Sequence, residues 1–268
     1  MYLVDYHTHT CCSPDSEARL SDMVRAAQQA GARELCTTDH CDLQQADGTP
    51  LGVWDWGPIL KQFEEAAFFG HREDFRLLLG LELGGGYTDP ARAEEILSGA
   101  PLDFVIGSVH NQSPELGGQD LFCLHYRDEG MCRQVLEDYM ANLLRQAGQS
   151  CYDSLGHIIY PLRYTNGRAG FHMTLDPWKD QLDQVLRAVI HTGRAIEVNT
   201  HGGRELSGWL PILRRYRALG GELVTLGSDA HRPAHVARGL RQAAGLLQEA
   251  GFRYVTVYRR RRPEQRRL

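Results

Sequence analysis

The sequence predicts an α/β fold, a distorted (βα)7 TIM-like barrel in a single domain. Strand-like apolar runs alternate with helix-like stretches along the whole chain of 268 residues, and this alternation is typical of parallel βα units. Seven of the runs are followed directly by an acid, an amide or an imidazole. Because the carboxyl ends of parallel barrel strands meet at one mouth, these polar side chains are expected to gather there.

The predicted elements alternate in a regular order. Strand-like runs lie near residues 2–7, 34–38, 76–82, 103–109, 153–158, 195–199, 223–227 and 253–258. Helix-like stretches lie at 21–30, 57–70, 91–98, 129–147, 178–192, 207–219 and 234–250. Ser21 is a plausible N-cap for the first helix, and Gly31, Gly193 and Gly220 stand where C-terminal caps are expected. Seven or eight such units close into a barrel with all strand ends on one face.

The composition indicates one barrel domain, residues 1–258, and a basic tail, residues 259–268. The tail carries six arginines and one glutamate, and we expect it to be disordered. No apolar stretch approaches the roughly 20 residues that a bilayer crossing needs. The first strand-like run begins at residue 2 and leaves no room for a signal peptide. We therefore expect a cytoplasmic protein with no membrane partner; the oligomeric state is not indicated.

Seven cysteines are present, and none forms a CxxC pair. In a reducing compartment we expect them to be free thiols. A thiolate ligand from Cys11, Cys12 or Cys41 is the alternative.

The polar residues at the strand ends are of the types that hold metal ions. His7 and His9 are two residues apart, so on a strand both side chains point to the same face. Glu82 ends an apolar run, where a carboxylate is poorly solvated unless it is paired or metal-bound. The nine candidate ligands are His7, His9, Asp15, His40, Glu82, His110, His157, Asp229 and His231. This mixed set exceeds the needs of one ion and predicts two or three divalent cations, with zinc, manganese or iron all suitable.

Arginines and the remaining histidines complete the candidate site. Arg163 and Arg204 fall in loops over the mouth, where a guanidinium can bind phosphate through a bidentate fork; ordinary surface positions are the alternative for both. His201 could face substrate, and the loop 111–128 is expected to cover it. Surface or packing roles are expected for His71, His125, His172, His191 and His235.

Six motifs follow one another along the chain: His7-Thr8-His9, Asp39-His40, Glu82, His110, Gly156-His157 and Gly227-Ser228-Asp229-Ala230-His231. In this order they resemble the polymerase-and-histidinol-phosphatase (PHP) family of metal-dependent phosphoesterases. The segments 106–110, 197–200 and 219–231 resemble its monofunctional histidinol-phosphatase branch.

The resemblance implies a barrel of seven βα units and three metal ions. The family pattern gives one ion to His7, His9, Glu82 and Asp229, a second to Glu82, His110 and His157, and a third to Asp15, His40 and His231. Arg163 and Arg204 match phosphate-binding positions and would take part in catalysis. Asp229, His231 or a metal-bound water could protonate the leaving alkoxide. The implied reaction is hydrolysis of a small phosphorylated metabolite, L-histidinol phosphate, to L-histidinol and phosphate in histidine biosynthesis.

Two departures from the branch bear on substrate recognition. Ile159 stands where the branch has an acidic residue, and His201-Gly202 stands where a small residue is usual. A phosphoesterase for another small phosphate ester or nucleotide is therefore the alternative. A non-catalytic module that binds protein or nucleic acid through the arginine tail is a further one. Such modules tend to lose ligands, whereas all nine are present here, so we expect no nucleic-acid partner.

Overall fold

The computed structural model describes residues 1–268, except for the side chain of Phe69. The strands are β1 (Val4–Asp5), β2 (Glu34–Thr37), β3 (His40–Asp42), β4 (Arg76–Gly84), β5 (Phe104–Ser108), β6 (Ser154–Leu155), β7 (Ala195–Asn199), β8 (Val224–Gly227), β9 (Tyr254–Arg259) and β10 (Arg262–Arg267). The helices are α1 (Leu20–Gln29), α2 (Gly57–Phe69), α3 (Pro90–Ser98), α4 (Glu129–Ala147), α5 (Tyr160–Leu162), α6 (Lys179–His191), α7 (Trp209–Ala218) and α8 (Leu240–Glu249). A π-helical turn, Arg163–Arg168, continues α5.

The strands form a nearly closed parallel barrel. Their order is β1-β2-β4-β5-β6-β7-β8, and each neighbouring pair is parallel. The ring is completed where the N–H of Tyr6 donates to the carbonyl of Leu226 at 2.9 Å, next to a parallel bridge between Thr8 and Ala230. The predicted distorted barrel of seven βα units is thereby confirmed.

The barrel strands are buried on both faces, as parallel sheets covered by helices must be. Every residue of β5, β7 and β8 is buried. The longest helix, α4, has the predicted bounds because Asp128 caps its first turn, accepting a hydrogen bond from the N–H of Met131 at 2.8 Å. Its apolar stripe, including Val135 and Leu143, packs inwards.

Several predicted boundaries are wrong. Arg19, and not Ser21, is the N-cap of α1. The last helix begins at Leu240 instead of residue 234, because a short 3₁₀ turn (Pro233–His235) precedes it. The run 153–158 contributes only the two residues of β6 to the sheet, and the short strand β3 was not predicted. By contrast, Gly31, Gly193 and Gly220 have the positive φ angles expected of helix C-caps.

The basic tail is ordered, so the expectations of disorder and of a boundary at residue 258 are wrong. Residues 262–267 form β10, which pairs antiparallel with β9; the run near 253–258 is therefore no barrel strand. Arg259 pairs with Glu34, and the Nε of Arg261 donates to Asp153 at 2.8 Å. Both carboxylates are buried at the amino ends of barrel strands. The tail therefore supplies positive charge to two buried carboxylates.

Among the described residues, none of the helices has the length and apolar character required to cross a bilayer.

Candidate metal centre

The carboxyl ends of the barrel strands surround a cavity of about 580 Å³. Of the nine predicted ligands, seven line this cavity: Asp15, His40, Glu82, His110, His157, Asp229 and His231. His7 and His9 lie beneath it and are fully buried. All nine side chains therefore meet at one mouth, as the positions of all but Asp15 at the ends of successive strands predicted.

Glu82 is the centre of the cluster. Its Oε2 lies 3.1 Å from Nε2 of His7, 3.4 Å from Nε2 of His9 and 3.0 Å from Nδ1 of His40. None of these contacts has hydrogen-bond geometry, and all four atoms are buried without a hydrogen-bond partner. Buried polar atoms are rarely left unpaired, so this convergence of lone pairs is the arrangement expected around a cation.

The second oxygen of Glu82 faces the opposite pair of histidines. Its Oε1 lies 3.2 Å from Nε2 of His110 and 2.8 Å from Nε2 of His157. Ser108 donates its hydroxyl to the same oxygen at 2.6 Å. Glu82 lies inside β4 because this strand continues to Gly84, so its carboxylate points into the barrel between both groups of histidines.

Asp229 divides its two oxygens between imidazoles and a guanidinium. Its Oδ1 lies 3.4 Å from Nε2 of His9 and 3.6 Å from Nε2 of His7. Its Oδ2 accepts a hydrogen bond from Arg163 at 2.7 Å. Asp229 has a φ of 57°, a left-handed conformation that aspartate tolerates better than most residues. The backbone strain directs this carboxylate into the cluster.

A third group lies nearer to solvent. The Oδ2 of Asp15 lies 2.9 Å from Nε2 of His231 and 3.6 Å from Nε2 of His40. His9 stacks on His231 with 4.1 Å between ring centroids. Asp15 is therefore brought together with the strand-end residues although it belongs to a loop.

Four groups of three side chains have ligand atoms within 4.8 Å of one another. They are His7, His9 and Glu82; Glu82, His110 and His157; His9, His40 and His231; and His40, Asp42 and His110. Among the described residues no cysteine belongs to such a group, and all seven cysteines are free thiols. The donor set consists of imidazole and carboxylate, which fits zinc, manganese or iron.

The charges of the cluster act in opposite directions on Glu82 and on His9. Burial raises the pKa of Glu82, but the neighbouring histidines, led by His7 and His40, outweigh burial and hold it well below its usual range. Burial lowers the pKa of His9, and the positive charges of His40 and His231 lower it further. Glu82 is therefore ionised and His9 neutral at pH 7.

Three acids that orient the histidines were given no role in the sequence analysis. Glu197 Oε1 lies 2.6 Å from Nδ1 of His7, and Asp42 Oδ1 lies 2.6 Å from Nδ1 of His110. Asp39 accepts the hydroxyl of Ser13 at 2.7 Å, and this hydroxyl lies 3.1 Å from Nδ1 of His9. Such partners fix the ring orientation of a metal ligand. A carboxylate in the middle of a buried strand, as in Glu197, was a signal that could have found one of them.

The two predicted phosphate-binding arginines have different surroundings. Arg163 is buried, and its guanidinium donates to Glu205 at 2.8 Å, Asp229 at 2.7 Å and Asn199 at 2.7 Å. Arg204 is exposed at the rim, where its Nε donates to the carbonyl of His201 at 3.0 Å. Both line the cavity.

Other residues of the mouth agree only in part with expectation. His201 lines the cavity, as anticipated, and so does Phe122 of the loop 111–128. His235, for which a surface or packing role was expected, also lines it. Ile159 is buried and does not belong to the residues that line this cavity.

Comparison with known proteins identifies the class to which this barrel and its histidine–carboxylate cluster belong. Residues 5–201 match the model of the PHP domain, and the chain belongs to that family.

Relatives of closely similar length match nearly the whole chain. The chain is 28% identical to the "Probable histidinol-phosphatase" of Clostridium acetobutylicum, covering 96% of this chain and 97% of that protein. It is 26% identical to the "Histidinol-phosphatase" of Lactococcus lactis subsp. lactis, covering 96% and 95%. A crystal structure of histidinol phosphate phosphatase from the latter organism, complexed with zinc, L-histidinol and phosphate, superposes with a TM-score of 0.84. That likeness has 24% identity and covers 98% of this chain and 99% of the other, so the fold is shared over the full length.

Proposed function

We propose that this protein is a metal-dependent phosphomonoesterase that hydrolyses L-histidinol phosphate to L-histidinol and phosphate. One observation carries the proposal: both oxygens of Glu82 face buried imidazole nitrogens, several of them without hydrogen bonds. The relatives that match nearly the whole chain are named as histidinol-phosphatases, and these names support the choice of substrate.

Two to three divalent cations would be held by the nine ligands. Glu82 would be shared between His7 with His9 on one side and His110 with His157 on the other. His40, His231 and Asp15 would hold a cation nearer to solvent. When bound, divalent cations supply Lewis acidity at phosphoryl oxygens and lower the pKa of water towards neutrality.

The side chains of this protein would supply binding and orientation of the phosphate ester. Arg204, at the rim, is free to neutralise phosphoryl oxygens as charge develops on them. Arg163 uses three of its five N–H donors on neighbouring side chains, and one of these hydrogen bonds orients Asp229. The two remaining N–H donors are available for an anion. The leaving alkoxide would take its proton from water, because Asp229 is held ionised and His231 cannot donate one while its Nε2 binds a cation. Burial raises the pKa of Asp229, but His7 and Arg163 bring it well below the usual range.

A second candidate, a phosphatase for another small phosphate ester, is favoured by one observation. The carboxylates that line the cavity are Asp15, Glu82 and Asp229, and each belongs to the proposed ligand set. Among the described lining residues, no further carboxylate remains to pair with the ammonium group of L-histidinol phosphate.

The experiment begins with protein purified without chelators. We expect two to three equivalents of metal per chain and phosphate release from L-histidinol phosphate with added Mn²⁺ or Zn²⁺. A panel of sugar, amino-alcohol and nucleotide monophosphates then ranks substrates by kcat/KM. Turnover of another ester, with L-histidinol phosphate untouched, would establish the second candidate. A chain without metal and inactive with every divalent cation would contradict both.

A further inference from the structure

A row of aromatic rings leads from the histidine cluster to the lip of the cavity. Tyr160 packs against His157 with 4.6 Å between centroids, Tyr164 against Tyr160 with 5.1 Å, and Phe122 against Tyr164 with 6.0 Å. All three residues beyond His157 line the cavity. The row therefore begins at a proposed metal ligand and forms one wall of the space above it.

The outermost ring is not anchored by burial. Phe122 is 61% exposed, so the hydrophobic effect contributes little to its position. Leu121 and Leu124 on either side are buried, and the N–H of Phe122 donates to Asp120 at 2.7 Å, so the backbone of this loop is anchored while the exposed ring is not held by burial. Its place beside Tyr164 must depend on other contacts.

Arg168, the last residue of the π-helical turn, provides those contacts. Its guanidinium donates to the carbonyl of Phe122 at 2.5 Å and to the carbonyl of Leu124 at 2.7 Å. The same group lies over three rings, 5.0 Å from the centroid of Tyr164, 5.5 Å from Phe122 and 5.8 Å from Tyr126. A planar fork can bond two carbonyls and stack on aromatic faces at once, and a lysine ammonium cannot.

The geometry points to Arg168 as a positioning residue that fixes Phe122 in an aromatic wall for the organic group of the substrate. Arg168 does not itself line the cavity. The inference rests on the proposed function, since it places the phosphate at the histidine cluster and the alcohol part beside Tyr164 and Phe122. The substrate class that fits is a monophosphate whose alcohol carries a flat ring, such as the imidazole of L-histidinol phosphate.

The test compares substrates with and without a ring on the Mn²⁺-loaded enzyme. For each protein, kcat/KM is measured with L-histidinol phosphate and with ethyl phosphate. The proteins compared are the wild type, F122A, R168M and R168K. The ratio of the two values is expected to fall about 5- to 10-fold in F122A and R168M, mainly through KM for the ring substrate. R168K is expected to recover little of it. A loss of folded protein lowers both values equally and leaves the ratio unchanged.

The double variant R168M/F122A separates positioning from independent action. Because Arg168 acts through Phe122, the double variant is expected to match F122A, whereas two independent effects would multiply. R187M, which removes an exposed arginine on α6, is the matched control. Multiplying effects, or an unchanged ratio in F122A and R168M, would overturn the inference.

Binding of L-histidinol gives a readout that does not need turnover. By calorimetry on the loaded protein with phosphate present, R168M is expected to weaken L-histidinol binding about 5- to 10-fold. Absence of binding to the wild type, or equal binding to R168M, would overturn the inference. Intact L-histidinol binding without hydrolysis of L-histidinol phosphate would instead count against the proposed function alone.

Discussion

Glu197 and His7 are joined by a contact of 2.6 Å between Oε1 and Nδ1, inside the barrel and beneath the histidine cluster. Glu197 also accepts the backbone N–H of His157 at 2.9 Å, so one carboxylate orients two proposed ligands. Replacement of Glu197 by Gln keeps the shape and removes the charge. We expect metal affinity to fall roughly 10- to 100-fold, as measured by competition with a chelator.

The control for this prediction is Glu222→Gln, which removes an exposed carboxylate paired with Arg217. It is expected to leave metal affinity unchanged. Equal affinities in E197Q and E222Q would show that Glu197 does not support the site.

Replacement of Glu82 by Gln tests the shared ligand. Because the carboxylate faces two groups of imidazoles, its loss is expected to weaken two cations at once. Metal content should fall by at least one equivalent per chain, and kcat/KM should drop roughly 10²–10³-fold, the usual cost of removing one electrostatic contributor to the transition state. Elemental analysis and phosphate-release assays measure both. Retention of full metal content in E82Q would contradict the proposed bridge.

Patterns local in the chain predicted the fold and the gathering of the candidate ligands at one mouth. The spacing of His7 and His9 and the apolar run before Glu82 were sufficient, since strand ends of a parallel barrel converge whatever the details of packing. Helix α4 was predicted to the residue because its stripe and its cap are both local.

Features that depend on distant partners could not be predicted. Asp42 is one acid among several near His40, and only the pairing of β3 with β4 brings it to His110. The tail was misjudged because six arginines resemble a solvated end; their fixation requires Glu34 and Asp153, which lie more than a hundred residues away in sequence. The surroundings of Arg163 likewise need Glu205, which no motif indicated.

The pair of Glu34 and Arg259 makes a stability prediction that depends on pH. Burial raises the pKa of Glu34, but hydrogen bonds from Arg259, Tyr2 and Tyr6 outweigh it, and the pKa lies below its usual value. In the wild type the pair therefore stabilises the fold above about pH 4.3. This stabilisation is lost as the pH falls through the lowered pKa of Glu34. Arg259→Met leaves a buried, uncompensated carboxylate and is expected to cost about 3 kcal/mol at pH 7, measured by urea unfolding.

In the R259M variant the pKa of Glu34 is expected to shift in the opposite direction. Without Arg259, burial dominates and the pKa of Glu34 rises above its unfolded value, so protonation favours the folded state. The difference in unfolding free energy between wild type and R259M should therefore shrink from pH 7 to pH 5. A second replacement, Glu34→Gln in R259M, should restore part of the loss at pH 7. A difference independent of pH would contradict this account of the tail.

The last prediction concerns two glycines, one in a crowded part of the barrel and one with open space around it. A Cβ at Gly80, in β4, would lie 2.6 Å from Sγ of Cys36 and 2.9 Å from the carbonyl oxygen of Phe104, and the backbone oxygen cannot move aside. Gly80→Ala should therefore destabilise the fold by about 1–3 kcal/mol through overpacking.

Gly245, within α8, has open space where a Cβ would lie. Gly245→Ala should stabilise by about 0.5–1 kcal/mol, because alanine loses less backbone entropy in a helix. Thermal unfolding in excess metal measures both, and the two shifts should differ in sign. A lower unfolding temperature in G245A would mean that α8 cannot accept even a methyl group on that face.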